Sequence, residues 1–152
     1  MDRNAILTAY TTSFSSYSGT DSRTTIEKVL KFSGNNFDIR KRGDIKKEVA
    51  IFRLLSGTSI DRVEDEKPID LVQNFEVTVY VEQSDSHSGK DVAYDRMLEI
   101  TDQLIDWADT TGGDSINSDV ETLTMTGVNT IDEDDGYLST NVNFESIIKI
   151  RQ

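Results

Sequence analysis

Asn74–Glu82, NFEVTVYVE, alternates apolar and polar residues along its whole length. Phe75, Val77, Val79 and Val81 fall on one side; Glu76, Thr78, Tyr80 and Glu82 fall on the other. Side chains of an extended chain alternate between two faces, so this stretch reads as a strand covered on one side only. Upstream, Glu48–Leu55 (EVAIFRLL) is rich in strand-forming residues and reads as a second strand. The connection between them, Ser56–Gln73, has an acidic centre at Asp61, Glu64, Asp65 and Glu66 and holds the lone Pro68. Hairpin loops usually take about 2–5 residues. A connection this long is expected to be an extended hairpin arm or a flexible loop, and to have a function.

Downstream, Tyr94, Met97, Leu98, Thr101, Leu104, Ile105 and Ala108 recur at i, i+3, i+4 spacing, which predicts a helix. Asp91 is its candidate N-cap, Asp95, Glu99, Asp102 and Asp106 decorate its other side, and Gly112-Gly113 stops it. A strand is predicted at Val120–Gly127, with Leu123 and Met125 on one face and threonines on the other. The last strand runs from Tyr137 to Ile150, where Val142, Phe144, Ile148 and Ile150 share a face. At the N-terminus Ile6, Leu7, Tyr10, Phe14 and Tyr17 follow helical spacing up to Ser18-Gly19. A short strand is expected over Ile26–Leu30. Together these elements predict one α+β domain over residues 1–152. Its sheet is expected to be mixed and mostly antiparallel, of about four or five strands, with two helices packed on one face and a hairpin arm at 56–73.

A chain of 152 residues buries about 68–70% of its unfolded surface, enough for a core without disulfides or metals. Its 28 acidic residues against 16 Lys and Arg give a net charge of −12. That balance argues against tight nucleic-acid binding and against an anionic membrane surface. The absence of cysteine excludes disulfides, thiolate metal sites and thiol catalysis, and fits a reducing compartment. No apolar run approaches the roughly 20 residues that span a bilayer. No signal-peptide core follows Met1-Asp2-Arg3-Asn4, so an intracellular protein is expected.

Enzyme chemistry finds little support. His87, the one histidine, sits in the polar turn Ser84–Gly89 with no partner to complete a metal site or a triad, and reads as an exposed loop residue. No G-x-S-x-G elbow, Walker loop or dinucleotide fingerprint occurs. Asp132-Glu133-Asp134-Asp135-Gly136 fails the EF-hand register, because glycine in sixth place would put Ile131 first and Val142 twelfth. It reads instead as a solvated hairpin turn with Asp135-Gly136 at its tightest point, and a weak, water-rich cation site is the alternative. Arg40-Lys41-Arg42-Gly43-Asp44-Ile45-Lys46-Lys47 is a local basic run; it is a solvated turn, a phosphate contact or a docking patch for an acidic partner.

An amphipathic helix, an AIFRLL strand, a long acidic arm, an FEVTVYVE strand, the helix Tyr94–Trp107 and a closing hairpin Thr122–Ile150 with an Asp-rich turn follow in that order. This order resembles the tail-terminator proteins of long-tailed bacteriophages, small α+β subunits that form a ring on the head-proximal end of the tail tube. The resemblance covers residues 2–150, most closely 48–150, and rests on architecture and local texture. The Thr24–Lys47 insert is longer than the simplest members lead one to expect.

The resemblance implies a structural virion protein, not an enzyme, with no cofactor, catalytic residue or metal. Its partners would be copies of itself in a hexameric ring, the tail tube protein, and the head connector or stopper protein. DNA would pass through the channel without being held, and no membrane is involved. The protein would be assembled in the host cytoplasm and sit at the tail–head junction. Expected contact residues are Asp61, Arg62, Glu64, Asp65 and Glu66 on the arm, with Arg40, Lys41 and Arg42 as a basic complement to a neighbour's acids. The alternatives are another head–tail joining subunit, an intracellular small-ligand-binding α+β domain, and an enzyme using the acidic turn with Mg²⁺.

Overall fold

The structure, a computed structural model, describes residues 1–18, 24–34, 42–45, 47–62, 67–83 and 90–150. Among these residues the chain forms α1 (Arg3–Ser15), β1 (Val29–Lys31), β2 (Glu48–Arg62), β3 (Lys67–Glu82), α2 (Lys90–Thr111), α3 (Gly113–Ile116), β4 (Val120–Val128), β5 (Asp132–Asp134) and β6 (Tyr137–Lys149). The sheet runs in the order β1-β2-β3-β6-β4, with β5 also paired to β6. Only β1 and β2 are parallel; every other pair is antiparallel. The class is α+β, as the alternation predicted, but the sheet has six strands and a third, short helix follows α2.

The predicted apolar face of β3 is buried throughout: Phe75, Val77, Val79 and Val81 are all at 0% exposure. Phe52, Phe75 and Phe144, from β2, β3 and β6, stack side by side with ring centroids 6.2 and 5.0 Å apart. Trp107 of α2 stands edge-on to this row, 5.8 Å from Phe52 and 6.1 Å from Phe144. Its other contacts are Tyr10 and Phe14 of α1, and its indole N–H donates to the Ser13 hydroxyl at 2.9 Å. Both long helices therefore lie on the same face of the sheet, with Trp107 where they meet.

The opposite face is not wholly uncovered. Ile45 closes a second small cluster with Val49 and Ile51, against Leu30, Tyr80 and Tyr137. The insert between the first helix and the first clear strand thus supplies both an edge strand and a patch of cover. It is tied down by buried charge: Arg96 reaches both Glu48 carboxylate oxygens, at 2.7 and 2.8 Å, and also pairs with Glu99 and the Thr24 carbonyl. Glu48 in turn accepts the Glu27 amide, and Glu27 accepts the Lys47 amide. This pair pulls Arg96 further above its usual pKa, Glu48 contributing most.

Several boundaries differ from the sequence reading. α1 starts on an Asp2 cap, which accepts the Ala5 amide, and ends at Ser15, so Tyr17 lies beyond it. The Ser and Thr hydroxyls of Thr11, Ser15 and Ser16 bond to carbonyls three residues back, which weakens the helix where it ends. The expected Ile26–Leu30 strand is β1, displaced to Val29–Lys31, and α2 begins at Lys90, placing Asp91 in its first turn. β6 alternates strictly but ends at Lys149, and Ile150 is half-buried beyond it. Its core face also carries two polar residues, Thr140 and Ser146; the latter donates to the Gln73 carbonyl. β4 is bulged twice, and that shift brings Val120 and Leu123, three apart, to the same buried side. The acidic turn is as expected: Asp135 (φ 47°) and Gly136 (φ 88°) form the two-residue corner between β5 and β6.

The largest correction concerns α2. Its buried residues are Ala93, Met97, Ile100, Thr101, Gln103, Leu104, Trp107 and Ala108, whereas Tyr94 and Leu98 are 48% and 40% exposed. The apolar arc is wider than the sheet can cover, and burial of Trp107 sets the rotation. Leu104→Ala should therefore cost about 2–5 kcal/mol in urea unfolding, and Leu98→Ala no more than about 0.5 kcal/mol. Equal losses would mean that the helix is rotated from this position.

The β2–β3 pairing is interrupted by a bulge between Leu54 and Gly57. The fully buried Gln73 side chain fills it, its amide donating to the Leu55 carbonyl at 2.9 Å and the Ser56 carbonyl at 3.3 Å. Position 57 is tight for a side chain: a Cβ there would lie 3.0 Å from a Leu71 methyl and 3.3 Å from the Gln73 oxygen, so these side chains would have to give by a few tenths of an ångström. Gln73→Ala leaves those carbonyls without their donor and should cost about 1–3 kcal/mol. A wild-type urea midpoint would show that the amide does not hold the bulge.

Candidate assembly surfaces

The Ser56–Gln73 connection is a paired ribbon: β2 and β3 run together from Glu48↔Val81 out to Arg62↔Lys67. Less of it stands apart from the domain than the sequence suggested. β3 also pairs with β6 from Asp70↔Lys149 onward, and Asp70 and Gln73 are buried, so 57–60 and 70–73 belong to the sheet. Among the described residues only Asp61↔Pro68 and Arg62↔Lys67 run beyond β6. Pro68 has no amide hydrogen to give to a ladder, which suits this outermost stretch.

Asp61 and Arg62 are the last two residues of β2. Glu64, Asp65 and Glu66 lie outside the described residues, as do Arg40, Lys41 and His87. Arg42 is described. Its guanidinium grips Asp44 through two bonds, at 3.0 and 2.9 Å, and Lys28 approaches the same carboxylate at 3.6 Å. Donation from Arg42 is the main reason the Asp44 carboxyl is pulled from its ordinary 3.8 to about 2. The pair therefore persists as pH falls below 3.8 and is lost only toward pH 2. Arg42 already has an acidic partner within its own chain.

Two recesses lie on the described surface. One, of about 410 Å³, runs between α2 and β4, with Ile105, Leu123 and Met125 as its apolar floor and Asp102, Asp106 and Asp109 along its rim. Asp106 accepts a bond from the Tyr17 hydroxyl at 2.8 Å. Among the described residues no cation pairs with Asp102 or Asp109. This groove escaped the sequence reading, which had assigned Ile105 to the core; its signal was the excess width of the α2 apolar arc. The other recess, of about 200 Å³, is polar and lies on the second face of the sheet, lined by Thr78, Tyr80, Ser139 and Asn141 with Asn129 and Thr130 nearby. Thr78 donates to Asn141 across its floor.

Neither recess contains the arrangement that nucleophilic or metal chemistry needs. Among the described residues no three His, Cys, Asp or Glu side chains converge as a metal site. Among the described residues no helix is long and apolar enough to cross a membrane. The buried Tyr10 hydroxyl is the most perturbed group in the core; desolvation pushes its pKa up to about 12, partly offset by Ser146 beside it. It has no well-formed hydrogen bond, lies within the aromatic layer, and is a packing element. Compared with known proteins, the chain matches no protein-family model and no curated protein.

Proposed function

We propose that this chain is a structural subunit of a long-tailed bacteriophage, a tail terminator that forms a ring on the head-proximal end of the tail tube. The observation that carries the reading is the β2–β3 ribbon, which outruns the sheet beside it on a domain whose two long helices share one face. A ribbon projecting past its own sheet offers backbone and side chains to a neighbour without disturbing the core. The order of elements along the sequence is what suggested the resemblance to this family. The net charge of −12, repeated around a ring, suits a channel through which DNA slides instead of sticking.

In this role the ring stops tube polymerisation and presents a surface to the head connector. Omitting the protein from a tail-assembly reaction should give tubes of uncontrolled length that fail to join heads. Tubes of normal length that fail only to join heads would identify another head–tail joining subunit. Tubes that stop normally and still join heads would reject both. Shortening the ribbon by deleting residues 61–68 and closing it with a two-residue turn should leave the subunit folded and impair capping. A shortened protein that caps tubes normally would remove the ribbon from the assembly surface.

A further inference from the structure

The acidic residues are unevenly distributed across the sheet. β1 and β2 make one edge and β4 the other. Residues 24–53, which lead through β1 into β2, hold eight Lys or Arg against four Asp or Glu. Residues 93–128, from α2 through β4, hold eight Asp or Glu, and their one cation, Arg96, is turned inward onto Glu48 and Glu99. The two segments therefore differ in charge, and among the described residues of the first the cations Lys28, Lys31, Arg42, Lys47 and Arg53 outnumber the acids Glu27, Asp44 and Glu48.

Each edge also carries apolar surface that is exposed among the described residues. On the acidic side Tyr94 and Leu98 lie one turn apart on the outside of α2, and the groove floor of Ile105, Leu123 and Met125 opens beside them. On the basic side Phe32 is exposed, with the Arg53 guanidinium 4.6 Å above its ring. Arg53 is half exposed and only 3.9 Å at closest from Glu76, a loose pair. Leu55 continues this patch along β2.

We infer that the acidic α2–β4 groove receives the Phe32–Arg53 edge of a second copy of this chain, so that subunits join head to tail. This rests on the ring reading, since a rotational ring needs two different surfaces on each subunit. The surfaces lie on opposite edges of one sheet, so occupying one leaves the other available. The groove offers an apolar floor for the Phe32 ring and carboxylates for Arg53, while Lys31, which donates to Asn4 and Thr8 of its own α1, adds positive charge nearby; opposite charge favours that pairing over like-with-like contact. Simple strand addition is disfavoured, because the bulges at Val120/Thr122 and Met125/Gly127 interrupt the β4 edge. Recognition therefore falls to side chains in the groove.

The test is sedimentation velocity of the full chain, alone and with tail tubes. Asp102→Lys and Arg53→Glu, both at exposed positions, should each weaken self-association roughly tenfold or more through like-charge contact. Combining them should restore assembly, and added salt should weaken the wild-type ring without shifting its urea midpoint. Lys31→Glu is a second reversal on the basic edge should Arg53→Glu lose its fold. Because the chain has no cysteine, Thr124→Cys combined with Phe32→Cys should give a disulfide-linked ladder ending at the closed ring, and neither alone should. Single reversals without effect, a combination that does not restore assembly, or no ladder from an assembling protein would overturn this interface and leave the ring reading standing. Reversals that spare self-association but abolish capping would assign the groove to the tube protein and overturn the second-copy assignment. A wild-type chain that stays monomeric both alone and on tubes would overturn the ring reading along with it.

Discussion

Trp107 is the point through which the layers of this protein are joined. Its ring meets Phe52 and Phe144 of the sheet edge-on, and Tyr10 and Phe14 of α1 from the other side. Aromatic rings at such angles match the positive edge of one to the negative face of another, adding to the large apolar area each buries. The indole nitrogen has its own acceptor in Ser13, so the ring is held in orientation as well as in place. Once Trp107 points at the sheet, the rotation of α2 follows. Tyr94, Leu98 and Ile105 are then left at the outer margin of the helix, and the groove beside β4 is a direct result.

Buried polar groups do a different job from the aromatic layer: they determine where the chain departs from regular pairing. Arg96 and Glu48 are both largely out of water and satisfy each other through two bonds, which clips residues 24–27 to the start of β2. A buried ion pair of this kind adds little net stability over an apolar replacement, while losing one partner is costly. Its effect here is positional, holding β1 parallel to β2 and placing Phe32 beside Arg53. Gln73 plays the same part at the other end of β2. Its amide replaces ladder bonds at the bulge, so the ribbon can change course without leaving carbonyls unpaired in the core.

These two groups of interactions make a subunit whose interior is fully used on one face of the sheet and whose edges are chemically distinct. Bulges in β4 interrupt that edge as a template for strand pairing, and the groove beside it is rimmed by Asp102, Asp106 and Asp109. Such edges suit ordered assembly, where contact must be made in one register and with one neighbour.

Much of the fold was legible because period-two and period-3.6 patterns are local. Phe75 through Val81, the strict alternation of β6 and the Asp135-Gly136 corner needed no tertiary information, since each follows from backbone geometry alone. The long paired ribbon was half legible: its existence followed from two strands separated by a connection too long for a simple turn, but its limits did not. Whether residues 70–73 are arm or sheet depends on β6, which lies more than 60 residues away in the chain. Ser146 and Gln73 fall in phase with the apolar faces of β6 and β3, but the partners that satisfy them there, the Gln73 carbonyl and the carbonyls of the β2 bulge, are known only from the pairing. For α2 the sequence offered an apolar arc too wide to define one face, and the choice between Tyr94 and Ala93 rested on the aromatic pocket that takes Trp107. Sequence alone therefore determined the long elements, their type and the charge they carry, but not the short α3 and β5. Which residues became surface, and so where two copies could meet, was decided only by packing, because burial depends on neighbours that local pattern does not name.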